Sequence, residues 1–186
     1  MSTSPYQQSL IRTLEENDLN LGPIVKKILD HIKQDSSIWV AGNGGSASTV
    51  ERFEMDMHFI RSKPISKSPK VYSLTSNTSL ISAIANDIGF ENVFSFQISR
   101  KAKSGDLCIV LSGSGSSENL INLIRTSKNL GLFTIGILGF DGGQLLDLVD
   151  MSVLIRTEKG KYGQVEDIHQ AICHEISSRV FQDLVI

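Results

Sequence analysis

IWVAGNGGSA at residues 38–47 and LCIVLSGSGSS at residues 107–117 each join an apolar run to a short loop rich in glycine and serine. The apolar runs are typical of buried strands, and both loops lead into stretches with helical spacing. Glycines let backbone N–H groups approach a bound group, hydroxyls add hydrogen bonds, and a helix N-terminus adds partial positive charge. Two such loops therefore predict a phosphorylated or polyhydroxylated ligand.

Strands and helices alternate through most of the chain. The predicted strands are 37–41, 70–74, 107–111, 133–138 and 151–155. The predicted helices between and after them are about 46–60, 78–100 in pieces, 117–130, 142–148 and 163–184. Apolar strands in this alternation favour an α/β three-layer sandwich with a five-stranded parallel sheet. Ligands bind such sheets beyond the carboxyl ends of the strands, where both loops would lie.

The chain is predicted to form a single domain over residues 1–186. Residues 1–34 have the spacing of two helices, separated near Gly22-Pro23, and residues 35–186 form the α/β core. The polar stretch from Ser62 to Lys70 contains prolines and predicts a surface loop.

Composition excludes several classes of protein. The net charge is −2, so there is no global attraction to nucleic acid or to an anionic membrane. No apolar run approaches the roughly 18 residues that a membrane span needs, and the start of the chain is polar. Cys108 and Cys173 are too few for a disulfide framework. A cytoplasmic protein is predicted, with no membrane or nucleic-acid partner.

The loop at residues 42–47 differs from the common nucleotide-binding motifs. No Gly-Lys-Ser/Thr follows it, as a Walker A motif requires. Its ending in Ala47 is an allowed variant of the dinucleotide pattern, but an acidic residue about 20 positions later is missing. Nucleotide binding is therefore the weaker alternative, beside a tight strand-to-helix turn without a ligand.

Several motifs in a fixed order resemble one family. GNGGSA at 42–47, LTSNTS at 74–79 and AIANDIGF at 83–90 precede the serine-rich loop, and EDIH at 166–169 with His174 follows it. Together they resemble SIS (sugar isomerase) domains, specifically phosphoheptose isomerases, over nearly the whole chain. The resemblance implies a flavodoxin-like fold and an N-terminal helical pair used in assembly. It also implies a homotetramer with active sites between subunits.

The resemblance implies interconversion of sedoheptulose 7-phosphate and a heptose 7-phosphate through an enediol. Such a reaction needs a base beside the carbonyl and an acid for the developing oxyanion. Four catalytic candidates stand at the family's positions. Asp56 replaces a glutamate base and His174 is the catalytic histidine, while Arg52 replaces a histidine and Glu166 replaces a glutamine.

The same four positions are linked with zinc in some family members, which makes Asp56, Glu166 and His174 candidate ligands by resemblance. Arg52 removes a ligand and adds a positive charge, so zinc is disfavoured and no cofactor is predicted. In one interpretation Arg52 supplies the charge of the missing metal, holding Asp56 or Glu166 or stabilising the enediolate. In another, catalysis is lost and a phosphosugar-binding or regulatory protein remains. A plain i,i+4 ion pair of Arg52 and Asp56 is a third interpretation.

The resemblance also assigns ligand-binding residues. The predicted phosphate residues are Ser112, Gly113, Ser114 and Ser117, and the predicted sugar residues are Asn43, Gly44, Gly45, Ser46 and Asp87. Gly113 replaces a family threonine and Asn77 replaces a frequent aspartate, which favours a changed sugar.

Spacing limits how the catalytic candidates can meet. Glu166 and His174 are eight residues apart, or about 12 Å along a straight helix. They can share one small site only if the helix begins after Glu166, bends, or contributes from two subunits. His58, two residues beyond Asp56, is a possible replacement ligand, although position 58 faces away from position 56 on a helix.

Overall fold

A computed structural model describes residues 3–59 and 67–185. The surface loop predicted for Ser62 to Lys70 lies largely outside the described residues. None of the described helices combines the length and the apolar character needed to cross a membrane.

Strands and helices alternate as the sequence predicts. The strands are β1 (Ser37–Gly42), β2 (Lys70–Ser73), β3 (Leu107–Ser112), β4 (Phe133–Gly139) and β5 (Met151–Ile155). The helices are α1 (Pro5–Glu16), α2 (Gly22–Lys33), α3 (Gly45–His58), α4 (Thr78–Asp87), α5 (Ser95–Lys101), α6 (Glu118–Asn129), α7 (Gly143–Leu148) and α8 (Tyr162–Leu184). A short 3₁₀ turn, Phe90–Asn92, separates α4 from α5. The five predicted strands are confirmed within one residue at each end.

The sheet is parallel throughout, with the strand order β2-β1-β3-β4-β5. From β1 the chain passes first to β2 on one side and later to β3 on the other. The order therefore reverses between β1 and β3, and ligands bind such sheets at the crevice formed there. The two loops singled out by the sequence follow these two adjacent strands, whose ends are paired at Gly42 and Leu111.

Two apolar clusters cover the two faces of the sheet, which confirms the three-layer sandwich. Along β3, Ile109 faces the cluster under α2, α3 and α8, whereas Val110 faces the cluster under α4 to α7. Both side chains are almost fully buried, because a central parallel strand is covered on both sides. The same burial explains the continuous apolar run in the sequence.

The two N-terminal helices differ in their packing. Helix α1 begins with a capping box between Ser4 and Gln7, and it rests on α8, where the Tyr6 hydroxyl donates to Asp167 Oδ2 at 2.6 Å. Helix α2 buries its apolar residues in the same cluster as α3 and α8. Residues 22–33 are therefore part of the α/β layers. The role of residues 1–34 in assembly stays a prediction.

His169 is a fully buried imidazole on α8. Neither ring nitrogen forms a hydrogen bond of normal geometry with a described residue. Burial lowers the pKa of His169 to about 4, and the backbone of Leu138 opposes this shift only in part. The folded protein therefore holds this ring in its neutral form well below pH 6.

We expect His169 to make the protein sensitive to acid. In the unfolded chain the pKa of the ring is near 6.5. Between pH 6.5 and 4 the unfolded state therefore binds a proton that the folded state does not bind. The free energy of unfolding should fall by about 3 kcal/mol as the pH is lowered through that range. Urea unfolding of the protein and of His169→Leu at several pH values measures the difference. An identical pH slope in both proteins would contradict the expectation.

Candidate active site

The loop after β1 turns directly into α3. Gly44 has a φ of 54°, and its carbonyl accepts from the backbone N–H of Ala47 at 3.0 Å. Gly42 allows the approach, because a Cβ there would lie 2.8 Å from backbone atoms of Ser46. These glycines place the N-terminus of α3 at the crevice beside β3.

The loop after β3 is held by its own hydroxyls and by the β4–α7 turn. Ser112 Oγ accepts from the backbone N–H of Gly115 at 3.0 Å, and the Gly115 carbonyl accepts from Leu145 N at 2.9 Å. Gly115 has a φ of 62°, and a Cβ there would overlap the carbonyl oxygen of Gly142. Only glycine fits this position, so the loop shape is set by the protein itself.

A cavity of about 140 Å³ opens between the two loops. Its lining residues are Asn43, Ser46, Leu111, Ser112, Gly113, Ser114, Ser117, Leu120, Tyr162 and Glu166. The structure thus brings all four predicted phosphate residues together with two of the predicted sugar residues. Its described lining contains no lysine or arginine, so an anion here would be held by hydroxyls, backbone N–H groups and the start of α6.

Among the described residues, Ser117 has no side-chain hydrogen bond, so its hydroxyl can serve a ligand in this cavity. It stands immediately before α6, but its side chain makes no capping hydrogen bond to that helix. The N-terminus of α6 and an uncommitted hydroxyl therefore face the same small space, as a phosphate group would require.

Glu166 lies in the same cavity, on the second turn of α8. Its carboxylate packs against Gly45, where an added Cβ would overlap it. Within the described residues it makes no hydrogen bond or ion pair. Glu166 is therefore an unpaired acceptor suited to sugar hydroxyls, and its charge opposes a phosphate placed nearby.

A second cavity, of about 610 Å³, lies between α3 and α8. Its lining residues are Arg52, Met55, Asp56, Phe59, His174, Ser177, Ser178 and Phe181. Arg52 Nε donates to Asp56 Oδ1 at 3.0 Å, and His174 Nε2 lies 3.5 Å from Asp56 Oδ2. The predicted base and acid are thus neighbours, with the Asp56 side chain 18% exposed between two groups that are about half exposed.

Gln170 is a neighbour of His174 that the sequence reasoning missed. Its Nε2 lies 2.8 Å from His174 Nε2, one helical turn away. The i,i+4 spacing on the last helix is a signal that could have found it. An amide beside the ring nitrogen can hold the imidazole in one orientation.

Asn119 is a second residue that the sequence reasoning missed. It follows Ser117 at the start of α6 and is only 2% exposed. The side-chain amides of Asn43 and Asn119 exchange two hydrogen bonds, each of 2.9 Å. The pair connects the two loop–helix units across the crevice.

Comparison with known proteins places the chain in a family. The model of the SIS domain matches residues 4–139. The phosphoheptose isomerase of Geotalea daltonii is 32% identical over 170 residues, covering 90% of this chain and 88% of the relative. The probable phosphoheptose isomerase of Thermoplasma acidophilum is 35% identical, covering 84% and 85%. The chain belongs to the phosphoheptose isomerase family of SIS-domain proteins.

A solved structure supports the same conclusion for the fold. The phosphoheptose isomerase from Neisseria gonorrhoeae superposes with a TM-score of 0.85 and 26% identity over 95% of each chain. The predicted flavodoxin-like SIS architecture is therefore confirmed. The resemblance inferred from the ordered motifs is confirmed as well.

Within this family, zinc fits the residues of one chain poorly. The described residues contain no group of three or more histidine, cysteine, aspartate or glutamate side chains able to hold a metal. Asp56 and His174 supply two donors, Glu166 lies in the other cavity, and the Asp56 carboxylate is already bound by the Arg52 guanidinium. A tetrahedral zinc site needs four ligands, and the described residues of one chain do not supply them at this cavity.

The four catalytic candidates are divided between the two cavities. Helix α8 begins before Glu166 and runs past His174, so the condition that the helix begins after Glu166 is not met. Arg52 pairs with Asp56, and no ion pair to Glu166 is found in the described part of the chain. A site shared between subunits stays a prediction.

Two further candidates lie away from both cavities. His58 Nε2 lies 2.7 Å from the carbonyl oxygen of Val71, so its ring is turned to β2 and does not line the cavity of Asp56 and His174. A ligand role for His58 stays a prediction. Asp87 is exposed at the end of α4, where Asn86 Nδ2 donates to its carboxylate at 2.7 Å. The structure of one chain does not bring Asp87 to the predicted sugar site.

Proposed function

We propose that the protein is an aldose–ketose isomerase that interconverts sedoheptulose 7-phosphate and a heptose 7-phosphate. The observation that carries the proposal is the contact of His174 with Asp56 at a cavity wall, in a chain that belongs to this family. A carboxylate next to a histidine can supply the base and the acid that this reaction requires.

The chemistry follows from the two side chains. Asp56 takes the proton from the carbon beside the carbonyl, and His174 gives a proton to the carbonyl oxygen, which produces an enediol. His174 then removes the proton of the neighbouring hydroxyl while Asp56 returns its proton to the former carbonyl carbon. No atom is gained or lost, as an isomerisation demands.

Arg52 takes a fixed electrostatic role in this proposal. Its Nε donates to Asp56 Oδ1, its side chain is 53% exposed, and it lines the cavity, so the rest of the guanidinium can face a ligand. A permanent cation beside the developing enediolate stabilises the transition state without a metal.

The phosphate is proposed to lie between the loops, on Ser112, Gly113, Ser114 and Ser117. Asn43, Gly44, Gly45, Ser46 and Glu166 are then available to the sugar hydroxyls. The phosphate loop and the pair of Asp56 and His174 face different cavities in one chain. We therefore propose that each active site combines the phosphate loop of one copy with the catalytic pair of another. A cytoplasmic homotetramer with sites between subunits is the assembly proposed, and Asp87 would reach a site only from a partner.

A non-catalytic phosphosugar-binding protein is the second candidate. It is favoured by two departures from the family pattern, Arg52 for histidine and Asp56 for glutamate, in the cavity that the mechanism uses. It shares the phosphate loop with the first candidate, so binding alone does not separate them.

Turnover separates the candidates. Purified protein, treated with a chelator and then dialysed, is incubated with sedoheptulose 7-phosphate, and the sugar phosphates are followed by NMR. We expect an aldose phosphate to appear until equilibrium is reached. Tight binding of the sugar phosphate without turnover, with or without added zinc, would favour the regulatory candidate instead.

A further inference from the structure

The Asn43–Asn119 amide pair is a closed arrangement of hydrogen bonds. Asn43 Nδ2 donates to Asn119 Oδ1, and Asn119 Nδ2 donates back to Asn43 Oδ1, both at 2.9 Å. Rotation of either amide by half a turn would bring two donors and two acceptors into opposition. The pair therefore fixes the orientation of each amide relative to the other and holds both amides in one plane.

The two residues come from separate parts of the crevice. Asn43 lies between Gly42 and Gly44 in the loop after β1, and it lines the cavity of the phosphate loop. Asn119 lies on the first turn of α6, is 2% exposed, and does not line that cavity. Asn119 thus contacts the loop after β1 through the side chain of Asn43.

The other hydrogen bonds of the two loops lie within one loop and the helix that follows it, or they join a loop to α7. The loop after β3 is fixed by Ser112 on Gly115 and by Leu145 from α7, while the loop after β1 continues into α3. Beyond the pairing of β1 with β3, the amide pair is the only hydrogen-bonded link between residues 42–47 and 112–119 in the described chain.

The chemistry of asparagine leaves Asn43 with spare capacity. Each side-chain amide has two N–H groups and an oxygen with two lone pairs. The pair uses one of each, so the remaining N–H and lone pair of Asn43 can serve a ligand. Their position is set by Asn119, because the Asn43 amide cannot turn alone without losing both bonds.

We propose that Asn119 is a positioning residue, which orients the Asn43 amide and fixes the spacing of the two loops for one phosphorylated sugar. The identity of the sugar rests on the proposed function, whereas the positioning of the loops does not. Preorganised loops bind without first losing conformational freedom, so release of the pair lowers affinity.

Two variants of Asn119 test the role. Asn119→Leu keeps most of the volume and removes both hydrogen bonds, and Asn119→Ala removes the side chain. Asn122→Ala is the matched control, because it deletes the same side chain one turn along α6, where its amide donates to Glu91 O. Calorimetry with sedoheptulose 7-phosphate, far below the unfolding temperature, should give a Kd about tenfold higher for both Asn119 variants. The control should bind as the unchanged protein does.

A double-mutant cycle separates positioning from simple destabilisation. If Asn119 acts through Asn43, adding Asn119→Leu to Asn43→Ala should change the Kd no further. An undiminished effect in that background, or an unchanged Kd in the single variants, would overturn the proposal.

Hydrogen exchange gives a reading that depends on no ligand. Backbone amides of residues 42–47 should exchange about tenfold faster in Asn119→Leu than in Asn122→Ala. Unchanged protection of this loop would overturn the proposal even if the sugar were wrongly assigned. Failure of the proposed function would instead show as absent turnover in the unchanged protein.

Discussion

Replacing His174 with alanine is expected to lower kcat for sedoheptulose 7-phosphate about a thousandfold, within the usual range for general acid–base catalysis. His174 Nε2 lies 3.5 Å from the carboxylate of Asp56, and in the proposed mechanism the variant loses the group that moves protons to and from oxygen. The phosphate-loop cavity is lined without His174. Substrate affinity should therefore change only a few-fold.

Two measurements together check this expectation. Single-turnover kinetics reports the chemical step, and calorimetry reports binding of the same sugar phosphate. His58→Ala is the control, because it also removes a histidine side chain. The His58 ring contacts the Val71 carbonyl and lines neither of the two cavities. Full activity in His174→Ala would contradict the proposal that His174 is the general acid that acts together with Asp56.

The fold could be predicted because its signals are local. Each buried parallel strand needs a continuous apolar run, so the strand at Leu107–Ser112 is visible in the sequence without any partner. The glycines at residues 42–47 are also visible in the sequence. Gly42 is needed because a Cβ there would lie 2.8 Å from backbone atoms of Ser46. Strand order was not visible locally, and the resemblance to the family implied only a flavodoxin-like fold; the structure gives the order β2-β1-β3-β4-β5.

The candidate site was less accessible to sequence reasoning, because its contacts join distant segments. Asn43 and Asn119 are 76 residues apart, and no local sequence pattern at either position predicts that they pair. Glu166 and His174 share one helix but open on different cavities, a division that follows from helix length and packing. The motif order identified the residues, and the packing of α3 against α8 decided which of them meet.

Replacing Arg52 with methionine is expected to lower kcat about a hundredfold, the loss that follows removal of one group stabilising an oxyanion. Arg52 is the only lysine or arginine among the described residues that line the cavity of Asp56 and His174. Methionine keeps much of the side-chain length and removes the charge. Arg52→Lys should recover part of the rate, since an ammonium carries the charge without the planar fork.

A surface ion pair of the same spacing provides the control. Arg179 Nη1 lies 3.4 Å from Glu175 Oε1 on the same helix as His174. This i,i+4 pair has the spacing of Arg52 and Asp56, but its carboxylate is more exposed than that of Asp56. Such pairs contribute only a few tenths of a kcal/mol to stability, so Arg179→Met should leave both folding and kcat unchanged. Equal behaviour of Arg52→Met and Arg179→Met would reduce Arg52 to an ordinary surface partner of Asp56. A chelator that stopped the unchanged protein would contradict the assigned charge role more directly, because the cation would then be a metal.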